Sequence, residues 1–168
     1  SKPISQLVLE QQAEELEMTQ QAVFDNMNRS FEVMKESVKM GMDPSLRSSS
    51  GLTGGSAYLM QRAVNNGQNH FGHLFGSAIA KALAVAEYNS CMGQIVAAPT
   101  AGSCGVIPAG LITIMEEKDL PQKDVVMALF TSSAIGMVIA KNASISGAEG
   151  GCQAEIGSAS AMVAGALA

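Results

Sequence analysis

Tryptophan is absent from this 168-residue chain, and aromatic residues make up only 4% of it. Any core must therefore be aliphatic, and the 11 methionines point the same way. Charge is also scarce. Asp, Glu, Lys and Arg amount to 15% of the residues, against about a quarter in an average soluble domain. So little polar surface argues against a disordered chain. Basic residues number 10 against 15 acidic, for a net charge of −5. Without clustered Lys and Arg, neither a nucleic-acid platform nor an anionic membrane surface is expected. The three cysteines, Cys91, Cys104 and Cys152, contain no Cys-x-x-Cys and cannot all pair. A disulfide framework is not expected, which leaves free thiols or a metal or cluster ligand. No segment alternates apolar and polar residues as a half-buried strand would.

The two ends carry expectations of their own. The start, Ser1-Lys2-Pro3-Ile4, lacks the charged-then-apolar layout of a signal peptide, and a cytoplasmic protein is the simplest expectation. The apolar run Val125 to Ala140 falls short of the roughly 20 residues that span a bilayer, so a buried core helix is expected there. The last residues, Ala161 to Ala168, give no cap or polar exit. They read as a cut inside a helix, so that residues 1–168 would form one helical domain, part of a longer catalytic domain.

What is present is helical. Ile4 to Leu16 predicts a short helix, and Thr19 an N-cap for the next. There Val23, Phe24, Met27, Phe31, Met34 and Val38 recur on one helical face up to Gly41 and Pro44. Met27, Met34 and Met40 read as core. Ser56 to Asn66 predicts a helix closed by Gly67. A longer one over His70 to Ser90 carries Phe71, Leu74, Phe75, Ala78, Ile79, Ala82, Leu83 and Ala86 as its apolar stripe. Pro108 fits the first turn of a helix to Lys118, and Pro121 opens another to Lys141. A small-residue helix is expected from Gln153 onward, with Gly157, Ala161 and Gly165 as a close-packing stripe. The fold class is all-α.

Three loops break this pattern. They are Ser48-Ser-Ser-Gly-Leu-Thr-Gly-Gly55, Pro99-Thr-Ala-Gly-Ser-Cys-Gly105 and the stretch Asn142 to Gly151, which runs into Cys152. Each mixes glycine with hydroxyl or amide side chains and precedes a helix. Converging backbone N–H groups at a helix N-terminus can hold a carboxylate or phosphate. None has the Gly-Lys-Ser/Thr of a P-loop. Elsewhere, His70 and His73 form His-x-x-His without an evident third ligand, and Cys91 reads as a half-buried thiol.

Two of these stretches, Ala98-Pro-Thr-Ala-Gly-Ser-Cys-Gly-Val-Ile-Pro-Ala109 and Asn142-Ala-Ser-Ile-Ser-Gly-Ala-Glu-Gly-Gly-Cys-Gln-Ala-Glu-Ile-Gly-Ser-Ala159, together with Ser50-Gly-Leu-Thr-Gly-Gly55, carry a resemblance. The chain resembles the α chain of iron–sulfur-dependent L-serine dehydratase over most of residues 20–168. That resemblance implies a helical catalytic region, deamination of L-serine to pyruvate and ammonia, a [4Fe–4S] cluster and a separate β chain. It implies Cys152 as the first of three cluster cysteines and places the other two beyond Ala168. One thiolate from this chain, no intact cluster on it and an inactive isolated piece are the expectations. Ser50, Thr53, Gly54, Thr100, Ser103, Asn142, Ser144 and Ser146 are the candidate contacts for L-serine. The base is not identified; Glu149 and Glu155, which flank Cys152, are the candidates.

Two other readings stay open. A PLP-dependent dehydratase would need a Schiff-base lysine, for which Lys81 and Lys141 exist, and normally an α/β sheet. A helical interaction module would use the glycine loops to bind an anion or a partner without turnover. A homo-oligomer is compatible with all three.

Overall fold

The computed structural model describes residues 2–168. It contains seven α-helices and no strand among the described residues: α1 (Ile4–Glu15), α2 (Gln20–Gly41), α3 (Ser56–Asn65), α4 (Gly72–Ser90), α5 (Val106–Lys118), α6 (Gln122–Asn142) and α7 (Gly147–Leu167), with a 3₁₀ turn at Ala101–Ser103. The all-α expectation holds.

The longest predicted periodicity gives the central helix. Thr19 caps α2, its Oγ1 accepting the Ala22 N–H at 3.2 Å. Val23, Phe31, Met34 and Val38 then turn inward, and α1, α4, α5 and α6 pack around them. Phe31 and Phe130, the two largest fully buried side chains, join Ile107, Leu111, Val126 and Leu129 in one aliphatic core. Burial of such side chains contributes about 1.5–3 kcal/mol each. Met27 packs against this core and Met34 lies within it, but Met40, near the end of α2, is exposed, which corrects its reading as core.

α4 departs most from expectation. Its large apolar stripe does not form the core face: Phe71 and Phe75 are 60% and 69% exposed. The buried face is Gly76, Ser77, Ala80, Lys81, Ala84, Val85 and Glu87. Small side chains let α2 come close. A Cβ on Gly41 would stand 1.9 Å from the carbonyl oxygen of Ala84, so the two backbones touch there. Backbone contact of this kind needs small residues, and periodicity of large ones cannot signal it.

α6 is long and apolar enough, by length and composition, to cross a bilayer. Only its first half is core, through Val125, Val126, Leu129, Phe130 and Ser132. Met137 and Val138 are exposed, so the expectation of a core helix over the whole run is corrected. The small-residue stripe on α7 is corrected as well. A Cβ on Gly165 would meet Ile135 of α6 at 1.9 Å, whereas one on Gly157 would meet nothing within 4 Å, and Ala161 is exposed. Only the last of the three sits at the helix crossing.

Candidate active site

The first loop is built on its own backbone. Asp43 Oδ1 accepts the Ser45 hydroxyl at 2.6 Å and the Ser45 N–H at 2.7 Å. These two bonds, the hydroxyl first, hold the Asp43 carboxyl below its ordinary range. The Ser48 N–H donates to the Thr53 carbonyl at 2.9 Å, and the Thr53 N–H to Ser48 Oγ at 3.2 Å. Ser50 Oγ lies 3.2 Å from Ser48 Oγ. Gly54 lies so close to Leu46 that a Cβ would sit 2.0 Å from its carbonyl oxygen. Thus the hydrogen bonds of Ser50 and Thr53 stay within the loop, and Gly54 serves its close folding.

α3 starts immediately after, and its N-terminal amides are already occupied. Glu87, 4% exposed on α4, accepts the Ser56 N–H at 2.9 Å through Oε1 and the Ala57 N–H at 3.3 Å through Oε2. The expectation that this helix start offers amides to an external carboxylate is corrected. The protein's own carboxylate fills that place, where both the free N–H groups and the helix dipole favour it. Two residues on, Asn89 Nδ2 donates to the Ala101 carbonyl of the second loop at 3.1 Å. The C-terminal end of α4 therefore connects the first and second loops. Sequence reasoning did not single out either Glu87 or Asn89. The available signal was a glutamate on the small-residue face of Ala80 and Ala84.

The second and third loops meet at Glu155. The Thr100 hydroxyl donates to Glu155 Oε1 and lies 3.0 Å from Ser103 Oγ. The Glu155 carboxylate rests on two glycines. A Cβ on Gly102 would stand 2.6 Å from Oε1, and one on Gly147 2.9 Å from Oε2. Any larger residue at either place would displace the carboxylate. Ser103 is buried, and its hydroxyl faces Thr100. A shallow apolar cavity of about 270 Å³ adjoins this point, between Ile79, Leu83 and Ala86 of α4, Gly102 and Ser103, and Ile156 of α7.

The third loop is shorter than expected. Asn142 is the last residue of α6, and its Nδ2 donates back to the Val138 carbonyl at 2.7 Å. Ser146 is an N-cap, its Oγ accepting the Ala148 N–H at 3.1 Å, and α7 begins at Gly147. The start at Gln153 is therefore corrected: a cap at Ser146 is enough to begin the turn. The helix is broken once, at Gly151, whose φ of 77° and ψ of 171° suit glycine. Glu149 belongs to the turn before this break and accepts the Ser144 hydroxyl at 3.0 Å.

Cys152 follows the break and is exposed. It stands three residues before Glu155, on the same side of α7. Cys104 is the opposite case, only 2% exposed. Burial, with a smaller contribution from the negative charge of Glu155, pushes its thiol above the ordinary cysteine value against a backbone hydrogen bond. Its sulfur lies within the core, closed to solvent. Cys91 is half-buried at the C-cap of α4. Among the described residues no group of three or more His, Cys, Asp or Glu could hold a metal ion. His73 Nδ1 faces Glu117 Oε1 at 2.7 Å, and His70 precedes α4. Lys81 is paired with Glu116 at 2.8 Å, and Lys141 is exposed in the last turn of α6.

Comparison with known proteins adds the decisive observation. The family model described as "Serine dehydratase alpha chain" matches residues 1–168. The chain belongs to the serine dehydratase alpha chain family. It is 43% identical over 164 residues to the probable L-serine dehydratase, alpha chain, of Bacillus subtilis, covering 98% of this chain and 54% of that one. The L-serine dehydratase, alpha chain, of Peptoniphilus asaccharolyticus is 38% identical over 164 residues, with 98% and 56% covered. The L-serine dehydratase of Streptomyces coelicolor is 40% identical over 145 residues, with 82% and 31% covered. The chain thus spans about half the length of the curated alpha-chain relatives it matches across nearly its whole length. No solved structure matches it.

Proposed function

We propose that this chain forms part of the catalytic region of an L-serine ammonia-lyase, working with a β chain to convert L-serine to pyruvate and ammonium. The observation that carries this reading is the junction at Glu155. It joins two hydroxyl-bearing loops next to an exposed cysteine, in a chain whose family relatives are named L-serine dehydratases. The reaction removes the Cα proton and the β-hydroxyl of serine. The resulting aminoacrylate tautomerises to an imine, which water hydrolyses.

The residues present fit one part of a [4Fe–4S] site. Cys152 is exposed and follows a break in the helix, so its sulfur is accessible as a thiolate ligand. Cys104 does not fit, since its sulfur is buried in the core and closed to an incoming group. The reading therefore takes one ligand from this chain and the remaining ligands from outside residues 1–168. When bound, such a cluster supplies an open iron, a Lewis acid for the substrate hydroxyl.

The chain's own residues have separate tasks. Glu155 is the carboxylate best placed to take the Cα proton. Thr100 holds its Oε1, and Oε2 receives no hydrogen bond among the described residues. Ser103 fixes Thr100 from the buried side. Glu149, already bonded to Ser144, shapes the third loop. Ser144 and Ser146 bring Gly147 under Glu155. Glu87 and Asn89 hold the first loop and the second in position from α4.

The test is direct. The full-length protein with its β chain, reconstituted with iron and sulfide without oxygen, should turn brown and release pyruvate from L-serine. Iron-replete protein that releases none would defeat the proposal. An absorbance scan of the purified protein separates an iron–sulfur chromophore from PLP.

A further inference from the structure

A second cavity lies away from the three loops. It measures about 560 Å³ and is bordered by α2, α3, α4 and α5, within the size range of small-molecule sites, roughly 300–1,000 Å³. α3 and α5 both pack on α4, and the cavity lies between them.

Its charged side chains come from three helices, α3, α4 and α5. From α5 come Glu116 and Glu117. Each uses one oxygen internally, Glu116 Oε2 with Lys81 at 2.8 Å and Glu117 Oε1 with His73 Nδ1 at 2.7 Å. Their other oxygens receive no hydrogen bond among the described residues. From α3 comes Arg62, accompanied by Tyr58, Gln61, Asn65 and Asn66. Arg62 has no acidic partner within 4 Å among the described residues, and its planar fork of donors matches a carboxylate.

Lys81 is the least expected member. Its side chain is 8% exposed, whereas that of its partner Glu116 is 57% exposed. Burying an ammonium is costly, and a half-solvated partner offsets little of that cost. A leucine would fill the same helix position without it. Here the ammonium holds one oxygen of Glu116, so that both members of the pair belong to the cavity lining.

From this arrangement we propose that the cavity between α3 and α5 is a second small-molecule site, for a zwitterion such as an amino acid or short peptide. The ligand carboxylate binds Arg62 and the neighbouring amides. Its ammonium binds the open oxygens of Glu116 and Glu117. The site is independent of Cys152, Thr100 and Glu155, so it stands whether or not the proposed catalytic reading does.

Calorimetry on the full-length protein tests this with L-alanine, L-alanyl-L-alanine and acetate. L-Alanine lacks a β-hydroxyl and cannot be dehydrated. We expect L-alanine or the dipeptide to bind, with the two distinguishing amino acid from peptide. Arg62→Ala and Glu117→Gln should each weaken binding tenfold or more, and Thr100→Val should leave it unchanged. Arg62 is exposed, so its replacement should not disturb folding. Binding lost in Thr100→Val but kept in Arg62→Ala would overturn the proposal, as would no binding by either ligand. Acetate binding as tightly as L-alanine would overturn the zwitterion assignment.

Discussion

Glu87 Oε1 accepts the backbone N–H of Ser56 at 2.9 Å, which places a buried carboxylate from the end of α4 on the first turn of α3. The N-terminus of a helix attracts anions in general. Here the anion is part of the protein, and its effect is to fix the glycine-rich segment that leads into α3. The loop is held from behind by α4 rather than left open for a ligand to order.

Removing that carboxylate should be costly. A buried donor left without a partner costs about 1–3 kcal/mol, so Glu87→Ala should lower the urea midpoint clearly. Glu87→Gln, which retains one acceptor, should lower it less. Amide exchange at Ser56 and Ala57 should accelerate in both. Unchanged exchange would show that the carboxylate does not hold the loop.

Glu155 and Thr100 should separate chemistry from support. If Glu155 takes the proton, Glu155→Gln should reduce L-serine turnover by roughly 100-fold to 10,000-fold, with the circular dichroism spectrum intact. Thr100→Val should cause a smaller loss, because it removes the hydrogen bond that orients the carboxylate. A large fall in melting temperature with little change in turnover would make Glu155 a structural link only.

Cys104 makes a prediction about pH. Its thiol is raised in the folded protein, so the folded state retains the proton longer than the unfolded chain does. That contribution is complete below the unfolded cysteine value, about 8.5, and is lost as pH rises through the folded value. Stability should therefore fall above about pH 8.5, and less steeply in Cys104→Ala. Urea titrations at several alkaline pH values measure this. In native protein a thiol reagent should modify Cys152 well before Cys104, reflecting their exposure.

Two glycines give opposite expectations. At Gly41 a methyl group would strike the Ala84 carbonyl at 1.9 Å, backbone against backbone. Gly41→Ala should cost about 1–3 kcal/mol through overpacking. At Gly157 a methyl group meets nothing within 4 Å, in an exposed stretch of α7. Gly157→Ala should stabilise by about 0.5–1 kcal/mol. Paired denaturation curves decide both.

The sequence revealed α2 well because its large residues repeat and Thr19 caps it, both local facts. It revealed α4 poorly. Phe71, Phe75 and Leu74 form the stronger stripe, yet α2 selects the face carrying Gly76, Ala80 and Ala84. That choice depends on which neighbouring helix can come close, which no single segment encodes. In the site, the resemblance drew attention to Thr100, Ser103, Glu155 and Cys152, which lie on one loop and one helix turn. It did not distinguish Glu155 from Glu149, since both flank Cys152 and only the fold puts Thr100 beside one of them. Glu87 was missed because its function depends on a loop about 30 residues earlier in the chain, while its own surroundings read as ordinary helix.

The central claim is that Cys152 is the cluster thiolate of this chain. The measurement is iron content and L-serine turnover of the full-length protein, reconstituted without oxygen, for Cys152→Ser beside Cys104→Ala. We predict that Cys152→Ser loses most of its iron and its turnover, while Cys104→Ala retains both. Undiminished iron in Cys152→Ser, or its loss in Cys104→Ala alone, would contradict the account.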